Sequence, residues 1–275
     1  MSDSTDRALE RIATALERLA PPTPAPFDWT NAPAFVWDQS GARAVPVLVA
    51  PQLALLRGID AQKEVVVANI ARHAAGSAAH DMLLWGSRGM GKSALLRAGV
   101  AAAQMGIGPI ALVQVAPDAL AGLTGLFSAL ARVDRPFLVY IDDLGFEDGD
   151  STGPRQLRSW LEGGVEARPA NVRLAVTANR RAIVSRHLSE QDDPINPRDV
   201  VDDRLALADR FGLSIGFHAC SQDDYLAIIA GYAAEYGLTF TEADALEWSK
   251  RRGARSGRVA WQYVTELAGR AGRQI

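Results

Sequence analysis

The sequence predicts an α/β fold: a five-stranded, mostly parallel sheet with helices on both faces, followed by a small helical lid. Three observations carry this. Between residues 60 and 219, short and continuously apolar runs alternate with helical patterns, and strands that are apolar on both faces belong to parallel sheets wrapped by helices. The first of these runs leads into a glycine-rich turn and then a helix, the order in which a strand delivers a loop to the carboxyl edge of a sheet. After Cys220 the apolar runs stop, and three helical patterns complete the chain.

Residues 5–20, TDRALERIATALERLA, put Leu9, Ile12, Leu16 and Leu19 on one helical face, with Arg7, Glu10, Arg11, Glu17 and Arg18 elsewhere. Residues 1–20 are thus expected to form an amphipathic helix whose apolar face needs a partner, in its own domain, in a neighbouring copy or in another protein. PPTPAP at 21–26 stops that helix and favours a stiff extended linker. Residues 21–54 read as this linker plus a strap, with Phe27, Trp29, Phe35 and nearby Trp37 anchoring residues 27–58 over the next domain.

The α/β domain is expected over 55–219. Its elements are a helix at 61–75, a strand at 81–86, a helix at 92–104, a strand at 109–116 and one continuous helix at 118–133. A strand at 136–143, a helix at 154–166, a strand at 171–179, a mixed segment and a last strand at 213–217 follow. The lid, 220–275, holds helices at 221–237, 241–253 and 257–272, the first capped by Ser221 with Asp223 and Asp224 in its first turn.

Composition narrows the function classes. The 275 residues are 48% apolar, enough to bury a substantial core, and 29 basic against 32 acidic residues give a net charge of −3. Nothing in that balance requires a nucleic acid or an anionic membrane as partner. A single cysteine excludes an internal disulfide and fits a reducing compartment. The opening MSDSTDRALE lacks the apolar core of a signal peptide, and no window reaches the ~18 apolar residues of a membrane span, so a cytoplasmic location without membrane insertion is expected. Four scattered histidines have no zinc-ligand spacing.

The chemistry begins at Gly86-Ser87-Arg88-Gly89-Met90-Gly91-Lys92-Ser93. Two glycines flanking four residues, then lysine and serine, between a strand and a helix, make a phosphate-binding loop. Its backbone N–H groups can curl around an anion, Lys92 can reach β- and γ-phosphates, and Ser93 can offer a hydroxyl to magnesium. The strand FLVYI then delivers Asp142 to the same edge, where an acid can orient a magnesium-bound water. The alternative for Asp142-Asp143 is a turn pair after a strand. Asp143 as the residue that polarises the attacking water is one methylene shorter than glutamate, with Glu147 as a substitute.

The phosphate loop, the IDD strand end, Thr177-Ala178-Asn179, Ala208-Asp209-Arg210-Phe211-Gly212 and Arg258 within RSGRVAW together resemble the AAA+ ATPases over about residues 55–270. More narrowly, LLWGSRGMGKS, DDLGFED, TANRR, LADRFGLSIGF and RSGRVAWQ look like a bacterial AAA+ family known only as domain of unknown function 815. Paired aspartates followed by Leu-Gly are similar to the replication-initiator and helicase-loader branch, which makes Asp143 a habit of lineage.

The resemblance implies ATP and Mg2+ as cofactors, with Ser93 and Asp142 on the metal. It makes Asn179 the sensor on the strand between Asp142 and the phosphate loop, unless it is a turn-forming asparagine. Arg210 becomes a finger entering a neighbouring subunit's site, with a surface ion pair as the alternative and Arg204 as rival. Arg258 becomes a second sensor in the lid, against the reading that Arg251, Arg252, Arg255 and Arg258 form a solvated basic helix end. Leu55 to Ile59 and the lid would form the adenine pocket.

The expected activity is magnesium-dependent ATP hydrolysis by a ring or helical homo-oligomer, a hexamer among the forms that fit, acting on a macromolecular client, DNA or protein. The competing expectation is a nucleotide-gated scaffold with little turnover that recruits a partner through its N-terminal helix. A small-molecule kinase is disfavoured because the last 55 residues read as a helical lid.

Overall fold

A computed structural model describes residues 27–144, 161, 168–179 and 208–275. The predicted N-terminal helix, the helix at 154–166 apart from residue 161, and Glu147, Arg180, Arg181 and Arg204 lie outside the described residues.

The expected five strands are all present, as β3 (Met82–Gly86), β4 (Ala111–Val115), β5 (Phe137–Ile141), β6 (Val172–Ala178) and β7 (Leu213–Phe217). Among the described residues the sheet has seven strands, however, because the supposed strap contributes β1 (Ala34–Asp38) and β2 (Gly41–Val45). The order is β2-β1-β4-β5-β6-β3-β7, with only the β1–β2 hairpin antiparallel. Five residues on either side of a two-residue turn offer too few alternations to separate a strand from an extended strap. The aromatic anchors are real: Trp29 and Phe35 are buried, with ring centroids 5.0 Å apart, and Trp29 meets Phe137 at 6.1 Å.

The helices are α1 (Asp60–Ala74), α2 (Lys92–Gly106), α3 (Leu123–Leu130), α4 (Gln222–Glu235), α5 (Glu242–Arg251) and α6 (Gly257–Arg270). The helix expected over 118–133 is broken: Pro117–Gly122 is a 3-10 turn, and only Leu123–Leu130 is α-helical. Gly122 at the junction opposes one continuous helix, since glycine in a helix interior is destabilising.

Every residue of β5 is buried, and its alternation divides the core. Leu138 and Tyr140 join α1, α2 and the lid on one face, while Phe137, Val139 and Ile141 join Trp29, Phe35 and α3 on the other. Val259, Ala260, Tyr263 and Val264 of α6 share the first cluster with Leu56 and Ile59, so lid and sheet are packed through one apolar core. Ser221 caps α4 in a reciprocal capping box with Asp224. No helix among the described residues is long and apolar enough to cross a membrane.

Candidate functional site

Strand order decides which side chains meet. β6 lies between β5 and β3, so the carboxyl ends of three adjacent strands present Asp142 and Asp143, then Thr177 and Asn179, then the loop that begins at Gly86. That edge opens into a cavity of about 1080 Å³.

Residues Arg88 to Ser93 line it, with Asp142, Asp143 and Asn179 on the sheet side. Ile59 and the preceding strap, Ile228 and Tyr232 of α4, and Arg258 and Trp261 of α6 form the remaining walls. Gly86 and Ser87 instead supply carbonyls to Lys92 Nζ, at 2.6 and 2.9 Å. Arg210 does not line this cavity: it sits half-buried in the turn before β7.

The loop's shape follows from its glycines. Gly86 (φ +131) runs so close to β7 that a Cβ there would overlap the Phe217 carbonyl. Gly89 (φ +78) lies directly under the lid, where its carbonyl accepts the Arg258 N–H at 3.1 Å. The N-terminus of α2 follows Gly91, with no side-chain cap and no acidic residue in its first turn. Uncapped N–H groups and the helix dipole make that end a receptor for an anion.

Asp142 is the hub of the polar network. Its Oδ1 accepts from Ser93 Oγ at 2.8 Å and from Thr177 Oγ1 at 2.7 Å. Burial acts to raise this carboxyl, but the favourable contacts of Tyr140, Thr177, Ser93 and the Asp143 N–H outweigh it and hold the group below the usual carboxylate range. The buried Tyr140 hydroxyl makes no hydrogen bond of good geometry, and it acts on Asp142 by proximity. Burial also pushes the Lys92 ammonium down, against the pull of Asp143 and Asp142.

Asp143 is the only non-glycine residue with positive φ (+51) among the described residues. Its amide donates to Thr177 Oγ1 at 2.8 Å, and its carboxylate meets Arg88 at 3.2 Å and the Asn179 side-chain amide. Asn179 therefore contacts Asp143 directly.

The basic helix end resolves into separate engagements. Arg251 pairs with Glu247, Arg252 lies 4.9 Å above the Trp248 ring, and Arg255 reaches Gln222 at 3.4 Å. Of these four arginines only Arg258 lines the cavity.

Sequence reasoning missed Thr177 as a contact of both aspartates, Tyr140 beneath them, and the aromatic wall of Tyr232, Tyr236 and Trp261. Strand alternation carried a signal for the first, since Thr177 and Asn179 are two apart and share a face.

The donor set fits a nucleotide with magnesium. Among the described residues no group of three or more His, Cys, Asp or Glu could hold a metal on its own. One carboxylate and one hydroxyl is the protein share typical of magnesium that also takes phosphate oxygens.

A family described as protein of unknown function (DUF815) matches residues 30–271. No curated protein matches the chain in sequence. Among solved structures, a Thermotoga maritima RuvB variant aligns at TM-score 0.54 and 18% identity, covering 82% of this chain and 68% of that one. The T. maritima RuvB Holliday junction branch migration motor aligns at 0.50 and 18%, covering 80% and 68%. The Aeropyrum pernix ORC2 protein, solved with ADPNP and ADP, aligns at 0.53 and 17%, covering 82% and 66%. These likenesses show a shared α/β fold with a parallel-dominated sheet.

Proposed function

The chain belongs to the DUF815 family and has the AAA+ fold, and from that premise we propose that it binds ATP with magnesium and hydrolyses it to ADP and phosphate. The observation that carries the reading is the convergence on one cavity of an uncapped helix N-terminus, Lys92, the Ser93–Asp142 pair and Asp143.

Lys92 and the loop amides bind the β- and γ-phosphates, while Ile59, the strap and the lid enclose the base. Ser93 and Asp142 would hold the magnesium ion, which would supply neutralisation of the charge developing on the phosphates. Asp143 accepts a proton from the attacking water, and Asn179, already in contact with that carboxylate, orients the pair. Arg258 connects the phosphates to the lid. Arg210, which does not line its own chain's cavity, acts as a finger in the site of a neighbouring copy within a ring or helical homo-oligomer. A macromolecular client, DNA or protein, completes the reading. The RuvB and ORC2 likenesses support the fold beneath it and do not choose between clients.

The test is magnesium-dependent phosphate release by purified protein, with and without DNA, against Lys92→Ala. Release above that control, lost in Arg210→Ala together with a change in assembly, is expected. A rate no higher than the control under both conditions would refute hydrolysis. A specific contact favours the second reading, a nucleotide-gated scaffold with little turnover: Arg88 and Asn179 both engage the Asp143 carboxylate, which restrains it from water.

A further inference from the structure

Thr177 is 1% exposed and is the penultimate residue of β6, which lies between the two chemically active strands. Ile141 pairs with Val176 and Leu84 with Thr177, so Thr177 stands one step beyond the last β5 pair, level with Asp142. Its single hydroxyl is used in both directions. The proton goes to Asp142 Oδ1 at 2.7 Å, and a lone pair receives the Asp143 N–H at 2.8 Å. Its carbonyl takes the Leu144 N–H at 2.7 Å. One buried residue thereby turns the chain after β5 back over the end of β6, with Asp143 in a left-handed conformation that strand geometry alone would not produce.

We infer that Thr177 is a positioning residue that fixes Asp142 for the metal and Asp143 for the water. The inference rests on the proposed magnesium and ATP site. Asp142 Oδ1 also accepts from Ser93, so the Thr177 hydroxyl orients the carboxylate by leaving its other oxygen for the cation. Partners that orient metal ligands in this way are commonly worth about 10- to 100-fold in metal affinity or activity. A side chain lacking the hydroxyl removes both bonds together. Serine keeps both.

The experiment compares wild type, T177V and T177S by titrating magnesium against binding of a fluorescent ATP analogue, with melting temperature and phosphate release measured alongside. T177V should raise the magnesium concentration for half-maximal binding by about 10- to 100-fold, leave magnesium-free affinity within about threefold, and slow phosphate release by a similar factor. T177S should return all three to within about threefold of wild type. If T177V fails to fold, T177A serves in its place. An unchanged magnesium midpoint in the hydroxyl-free variant, or a T177S as impaired as T177V, overturns the proposal. Wild type that binds the analogue with no magnesium dependence overturns it together with the site reading. Wild type with no turnover but with the T177V shift in magnesium midpoint supports the positioning role and refutes hydrolysis alone.

Discussion

Replacing Gly89 with alanine tests whether the lid is seated directly on the phosphate loop. A Cβ at this position would lie 2.9 Å from Ser256 Oγ, 3.0 Å from Arg258 Cβ and 3.3 Å from Ser256 Cβ. Ser256 cannot simply rotate away, because it is buried and its hydroxyl caps α6 by accepting the Val259 N–H at 3.2 Å. The residue would also have to hold φ near +78, which costs an L-amino acid about 1–2 kcal/mol, and losing the cap adds about 1 kcal/mol. The total of about 2–3 kcal/mol corresponds to roughly 30- to 150-fold in affinity if a displaced lid absorbs it. The assay is binding of a fluorescent ATP analogue, with Gly125→Ala as control. Gly125 is on the exposed side of α3 with open space around it, so alanine there should stabilise the fold by about 1 kcal/mol and leave binding unchanged. G89A that binds within about threefold of wild type would refute the coupling of loop to lid.

Three further outcomes follow from the same geometry. Trp29→Ala, on the core face opposite the phosphate loop helix, should cost about 3–5 kcal/mol by chemical denaturation and leave nucleotide affinity intact; a loss under 1 kcal/mol would mean the aromatic anchor is not packed as described. Arg88→Ala removes an exposed ion pair, with side chains 71% and 52% exposed. Stability should therefore change by less than about 1 kcal/mol, while phosphate release should rise if Arg88 restrains Asp143; a fall would instead assign Arg88 to the phosphates. Burial pushes the Cys220 thiol up to about 11, so at pH 8 it should react with a thiol reagent roughly two orders of magnitude more slowly than a free cysteine. Because the thiolate reacts, the rate should climb about tenfold per pH unit until it levels near the raised value. A plateau already reached near pH 9 would contradict the buried placement. The chain has no other cysteine, so the label reads this position alone.

The features legible in the sequence are those set by local order. The phosphate loop declares itself because its glycines, lysine and serine are contiguous, and β5 because five apolar residues in a row suit a strand buried on both faces. The lid helices are marked by capping residues, Ser221 above all. Less legible were features created by pairing between distant segments. The β1–β2 hairpin gains its identity from β4, which hydrogen-bonds to β1 across more than 70 residues. Thr177 lies 35 residues beyond Asp142, and its two hydrogen bonds to the aspartates exist only once β5 and β6 are in register. The wall of Tyr232, Tyr236 and Trp261 needs α4 and α6 side by side, an arrangement that neither helical pattern encodes alone.

The missing glutamate after Asp142 has a backbone explanation. Residue 143 holds φ +51 where the chain leaves β5, and the left-handed region favours Asp and Asn several-fold over longer side chains. From that conformation the short carboxylate spans two strand ends, meeting Arg88 on the phosphate loop and Asn179 at the end of β6. The turn after β5 is held to β6 by Thr177, whose hydroxyl accepts the Asp143 N–H and whose carbonyl accepts the Leu144 N–H. The Asp143 amide held by the Thr177 hydroxyl and the Asp143 carboxylate held by Arg88 and Asn179 therefore belong to one network, in which aspartate suits the left-handed backbone at 143.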